Sequence, residues 1–306
     1  MSERQSPLKV SEKGKGLSGV VTPKLFDMVT IGCPIWLGDR RSWKEKVREA
    51  YEAGFNYIEL SLDYPWPLLD RDTPEAIVNE TRKFGLDVIF HGCWRDVKLS
   101  SPIEGVRKAS VSYVIDVAKA AGEIHPTYFI LHLSTDQAVN QIEEYGDLFV
   151  EAAISSLKEV LEEAEKLGVE IVVENDPMHF MTTVDQVAEV LRRVDVEFCF
   201  DIGHAYAYTV RKERCADVDE LISSWFKALG AKIIGAHVYD CIIRDHWVEE
   251  HVAPSENSQL IQAFLRATRN KFVKLNFITI EAFRKPDGSP VKFKELKGIV
   301  KLLTNI

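Results

Sequence analysis

The stretch VEFCFDIGHAYAY, residues 196–208, decides how this chain is read. An apolar, β-forming run stops abruptly at Asp201, and Gly203 and His204 follow. A run that is apolar on both faces fits an interior strand of a parallel sheet. Asp201 then stands where the strand leaves the core, with His204 in the loop just above it. One such ending means little. Its weight depends on whether other strands end the same way.

From residue 26 onward, short β-like runs alternate with helical patterns. The runs are FDMVTIG (26–32), FNYIEL (55–60), DVIFH (87–91), TYFILHL (127–133), VEIVVE (169–174), VEFCFD (196–201), KIIGAHV (232–238) and FITIE (277–281). Between them lie amphipathic stretches such as SWKEKVREAYEAG, TPEAIVNETRKFG, DLFVEAAISSLKEVLEEAEKLG and TVDQVAEVLRRV. Their apolar residues recur at three- and four-residue spacing, and several finish on Gly, as helices do. Eight strand–helix units predict a single (β/α)8 TIM barrel, with its active site at the carboxyl ends of the strands. The competing doubly wound sheet lacks a GxGxxG after the first strand. The reading assigns 1–24, a polar Gly/Ser/Lys-rich stretch, to a flexible N-terminal tail, and 25–306 to one catalytic barrel domain.

Runs two through eight close on Glu59, His91, His132, Glu174, Asp201, His237 and Glu281. Every one is an acid or a histidine, although those residues make up 47 and 8 of 306 positions, less than a fifth. In a barrel these side chains converge on one mouth. Carboxylates so crowded repel one another unless a cation compensates. Mixed carboxylate and imidazole ligands suit Zn²⁺, Mn²⁺, Co²⁺ or Fe²⁺ rather than Ca²⁺. A divalent ion is the simplest account of the ring. The bland alternative, hydrogen bonding to loop backbone, weighs most at Glu59.

Composition narrows the partners. The formal charge of −9 gives no basic footprint for nucleic acid or an anionic membrane. No run reaches membrane-spanning length and the N-terminus lacks a signal-peptide core. Five cysteines without a CxxC pair argue against a disulfide framework and for a reducing, cytoplasmic setting. The oligomeric state is left open, a homo-oligomer included.

The ordered set HGCWRDVKLSS, FILHLS, IVVEND, FDIGHA, AHVYD, EEHVAPSEN and TIEAF resembles the xylose-isomerase-like TIM-barrel superfamily. That group holds sugar and sugar-phosphate isomerases and epimerases together with endonuclease IV-type abasic-site nucleases. The resemblance implies one divalent ion (Mn²⁺, Zn²⁺, Co²⁺ or Mg²⁺) on Glu174, Asp201, His237 and Glu281, with His204 contacting substrate. It also implies Glu174 and Glu281 as the proton-carrying pair. In the nuclease branch further ligands complete a three-zinc cluster, and those positions match His91, His132, His204, Glu249 and His251. Glu249 stands where an Asp is usual, and Ser255-Glu256-Asn257 replaces a GxG.

Two activities follow as expectations. The first is metal-dependent isomerisation or epimerisation of a sugar, sugar phosphate or related polyol, with His91, Trp94, His132, His204 and Arg244 binding a small carbohydrate. The alternative is zinc-dependent phosphodiester hydrolysis at abasic sites. ENDP after the fifth strand and TIGCPIW at the first depart from the nuclease pattern, which favours the isomerase. A metal-binding barrel without turnover ranks last. Trp36, Trp66 and Trp94 lie after strands one to three, where they stack on a sugar ring or on one another. Arg244 binds a substrate polar group or is simply a solvated loop residue. His179 and His246 lie in mouth-side loops, within reach of substrate. His125, at the opposite end, and Cys33 and Cys93, without a paired base, read as structural.

Overall fold

In every barrel strand the side chains alternate between the surrounding helices and the barrel interior, and this alternation positions the site. A computed structural model describes residues 29–39, 41–213, 217–245, 247–269, 273 and 275–306. The expected tail (1–24) and His246 lie outside the described residues. The strands are β1 (Thr30–Ile35), β2 (Tyr57–Ser61), β3 (Asp87–His91), β4 (Phe129–His132), β5 (Ile171–Glu174), β6 (Glu197–Asp201), β7 (Ile233–Val238), β8 (Asp240–Arg244), β9 (Trp247–Val252) and β10 (Phe277–Ile280). Eight of them close a parallel barrel in the order β1-β10-β7-β6-β5-β4-β3-β2, while β8 and β9 form a separate antiparallel pair. Each expected run has a strand, although 26–28 of the first run lie outside the described residues and its strand continues to Ile35. The β8–β9 hairpin does not follow from the sequence reading, because DCIIRDHWVEEHV has no clean alternation.

The helices obey their sequence signals. Trp43–Ala53 ends at Gly54 with φ 88°, and Gly146–Leu167 ends at Gly168 with φ 65°, the left-handed conformation that glycine adopts without strain. Outward strand residues such as Ile31, Ile58 and Leu60 join Val47, Ala50 and Ile77 of the helices in one continuous buried core. Inward residues form a second apolar cluster of Tyr57, Ile89, Tyr128, Ile130, Val172, Cys199 and Phe277.

Two residues further along each of several strands, the inward layer turns polar. Tyr57 is followed by Glu59, Ile89 by His91, Ile130 by His132, Val172 by Glu174 and Cys199 by Asp201. This period-two step explains the strand endings. It places Glu59 inside β2, rather than in a loop beyond it.

Glycine makes the aromatic floor possible. A Cβ on Gly235 would stand 2.0 Å from the Phe277 ring, and one on Gly32 would stand 2.1 Å from the Tyr57 ring. Both rings are buried and packed edge to face, with centroids 6.3 Å apart, so neither can swing aside. Gly235→Ala is therefore expected to destabilise the fold by about 1–3 kcal/mol, the usual cost of overpacking a core. Urea unfolding checks this, and a midpoint equal to wild type would refute the packing argument.

Candidate metal centre

The polar layer contains a four-donor cluster. Glu174, Asp201, His237 and Glu281 each offer one ligand atom, and all four atoms lie within 4.8 Å of one another. His237 Nδ1 is 2.9 Å from Glu174 Oε1, 3.3 Å from Glu281 Oε2 and 3.7 Å from Asp201 Oδ2. Glu174, Asp201 and His237 are 0% exposed. Among the described residues no lysine or arginine pairs with any of the three carboxylates. Glu174 Oε2 and Asp201 Oδ2 are buried without a hydrogen-bond partner. Buried polar atoms are ordinarily satisfied. Donors of this kind, converging on one point, fit a divalent cation.

Electrostatics carry the same message. Burial and the neighbouring Glu174 push the Asp201 carboxyl well above its ordinary value. Burial also opposes the charge on Glu281, but His251 and His237 outweigh it and hold that carboxyl at about 2. Burial likewise opposes the charge on Glu174, but the neighbouring His237 and His132 imidazoles outweigh it and hold that carboxyl well below its ordinary value, which leaves Asp201 as the carboxyl most in need of a cation.

A second group shares Glu174. His91, His132 and Glu174 also bring ligand atoms within 4.8 Å. His91 Nδ1 donates to the Gly92 carbonyl at 3.0 Å, and His132 Nδ1 lies 2.8 Å from Asp176 Oδ1. With both Nδ1 atoms engaged, the two Nε2 atoms face each other at 3.1 Å and lie 3.4 and 3.2 Å from Glu174 Oε2.

His204 lies in the first turn of the helix Ile202–Glu213, not in a loop, because Asp201 Oδ1 accepts its backbone N–H at 2.6 Å and starts the helix there. Its Nδ1 donates to the Asn175 carbonyl at 3.0 Å. Burial holds this imidazole neutral, with its pKa lowered to about 3. His251 has φ 58°, and its Nδ1 is 3.2 Å from the Glu281 carbonyl. Glu249 turns away from both groups. Arg244 and Arg284 hold its carboxylate at 2.9 and 3.3 Å, so the expected third ligand set of His204, Glu249 and His251 is not assembled. Arg244 itself also bonds the Pro286 carbonyl and does not line the cavity.

The cavity above the cluster has a volume of about 360 Å³ and includes His91, Trp94, His132, His179, His204, Glu281 and Trp36 in its walls. Trp36 packs on Phe283 with centroids 5.0 Å apart. Trp66 is buried, bonds Asp70 at 3.1 Å and lies off the cavity. Its indole is consumed by the fold. Cys33 and Cys93 are buried, and burial pushes the Cys93 thiol up to about 12, as suits packing residues. His125 is far from the cavity, its carbonyl held by Arg82.

Several lining residues escaped the sequence reading: Asp63, Arg95, Lys98, Asp176, Glu250 and Arg284. Arg95 pairs with Asp63 and stacks 4.3 Å from the Trp94 ring. Arg95 and Asp176 stand inside the stretches HGCWRD and IVVEND, next to residues that were chosen. Their position in those motifs was the available signal.

The family described as Xylose isomerase-like TIM barrel matches residues 47–297. The chain belongs to that family. An "Uncharacterized protein MJ1614" of Methanocaldococcus jannaschii is 23% identical over 201 residues, covering 63% of this chain and 69% of that protein. Among solved structures, a D-tagatose 3-epimerase-like protein superposes with TM-score 0.66 at 20% identity, covering 90% of this chain and 98% of the other. Endonuclease IV from Thermus thermophilus superposes with TM-score 0.61 at 17% identity, covering 90% of this chain and 99% of the other. Both branches of the family share this barrel, and identities this low establish the fold alone. No described helix is long and apolar enough to cross a membrane.

If a cation compensates the cluster, removing one carboxylate has opposite effects with and without it. Asp201→Asn relieves repulsion in metal-free protein and is expected to raise its melting temperature by about 2–4 °C, the shift that ~1 kcal/mol gives in a large domain. The same change should abolish most of the stabilisation that added Mn²⁺ or Zn²⁺ gives wild type, worth about 2.7 kcal/mol at a hundredfold excess over Kd. Calorimetry with and without chelator measures both. A variant less stable than wild type when metal-free, yet stabilised equally by metal, would overturn the assignment.

Proposed function

We propose that the protein is a divalent-metal-dependent isomerase or epimerase acting on a sugar, sugar phosphate or related polyol. One observation carries the reading: Glu174, Asp201, His237 and Glu281 converge with no described lysine or arginine to compensate them, and Glu281 borders the cavity. A bound ion would supply Lewis-acid stabilisation of the negative charge that develops on substrate oxygens as a carbon-bound proton leaves.

The chain's own residues do the rest. Glu281 borders the cavity and is the residue that accepts the proton in this reading. Glu174, on β5, lies three strands round the barrel from β10 and is the second proton carrier in this reading. His204 has its Nδ1 proton tied to a carbonyl, so a neutral Nε2 is left to accept a substrate hydroxyl. Trp36 and Trp94 give the cavity apolar walls suited to the C–H face of a sugar.

The second donor group of His91, His132 and Glu174 favours the other branch, a phosphodiesterase using more than one ion. The rest of the mouth opposes it. Its cations Arg95, Lys98 and Arg284 already pair with Asp63, Asp136 and Glu249, which leaves no described cation free for a nucleic-acid backbone.

Glu281→Gln is expected to cost at least about 10²-fold in turnover with the fold intact, the lower range for losing a general base. Wild-type protein should exchange solvent deuterium into a carbon-bound position of a sugar or sugar phosphate, which NMR detects. It should not nick abasic duplex DNA. Zinc-dependent nicking by nuclease-free preparations, with three ions per chain, would replace this reading with the hydrolase.

A further inference from the structure

From the Nε2 side of His237, opposite the nitrogen that faces the cluster, runs a line of buried polar groups drawn from β2, β7 and β10. His237 Nε2 lies 3.1 Å from Glu59 Oε2. The Thr279 hydroxyl donates to that same oxygen, and Tyr57 Oη is 2.6 Å from Thr279 Oγ1. Thr279 has one hydroxyl proton and gives it to Glu59, so the Tyr57 hydroxyl must donate to Thr279. Every proton in the line points toward Glu59. Tyr57, Glu59, His237 and Thr279 are all within 2% of full burial, and Glu59 also borders the cavity.

From this line, and resting on the metal reading above, we infer that Glu59 is the positioning residue of the centre. It accepts the Nε2–H of His237, and so leaves Nδ1, which lies 2.9 Å from Glu174 Oε1 and faces Asp201 and Glu281, to be the nitrogen offered to the ion. The two imidazole tautomers differ little in energy, so a single well-placed acceptor decides between them. A metal-binding histidine characteristically gives its other N–H to a carboxylate or carbonyl, and losing that partner weakens the metal. Thr279 and Tyr57 hold the Glu59 carboxylate in its rotamer. Phe277 and Tyr57 form the floor beneath, which ties ligand orientation to the packing that Gly32 and Gly235 permit.

The test uses the purified full chain and Co²⁺, read both by competition with a chelating dye and by the visible spectrum of the bound ion. Glu59→Leu is expected to weaken Co²⁺ about 10–100-fold and to alter its spectrum. Glu59→Gln, whose side-chain carbonyl still accepts from Nε2–H, should retain most of the affinity and the wild-type spectrum. Circular dichroism and thermal melting of the metal-free variants control for folding. Equal Co²⁺ affinity and spectra in wild type and Glu59→Leu overturn the inference while leaving the metal centre standing. If Glu59→Leu does not fold, Thr279→Val decides: a several-fold loss of affinity supports the inference, and unchanged affinity overturns it. Absence of Co²⁺ binding by wild-type protein overturns the metal reading, and this inference with it.

Discussion

Repulsion among buried carboxylates is the constraint around which this barrel is organised. Glu174, Asp201 and Glu281 come within 4.8 Å of one another with only an imidazole between them. Hydrophobic burial elsewhere must hold that arrangement closed, because the cluster by itself pushes apart. The helices and outward strand faces provide one continuous apolar core, and the aromatic layer beneath the cluster sets its height in the barrel. A cation held at that point, as proposed, would offset the repulsion.

The barrel was legible because parallel strands buried on both faces read as continuous apolar runs, and runs two through eight stop on a charged or imidazole side chain. The same stops pointed to the cluster, since inward positions two residues apart step from the apolar layer to the polar one. Asp201 and Glu174 are clear examples: each follows an inward apolar residue, Cys199 or Val172, on its own strand. Glu59 was harder to place. Its run looked like the others, but whether it faces a ligand or a neighbouring ring depends on cross-barrel distances that sequence does not encode.

What the sequence withheld lies outside regular periodicity. The β8–β9 hairpin has a register shift between Asp240 and Ile242, and its alternation is broken again by the positive φ of His251. Motif spacing alone therefore carried Glu249 toward a metal, whereas two arginines from separate segments carry it away. Trp66 failed for a similar reason. A loop tryptophan next to a strand end has two destinations, and here Asp70 and burial claimed it.

The aromatic floor has a consequence for traffic. With Tyr57, Tyr128 and Phe277 filling the interior below the polar layer, the barrel is a blind well with one door. Substrate, product, ion and protons share that opening. While a sugar-sized molecule occupies it, a proton resting on Glu281 has no separate route to bulk water. In the proposed reaction, solvent deuterium reaches the proton carriers through that same opening, so the rate of label uptake depends on how often it is clear.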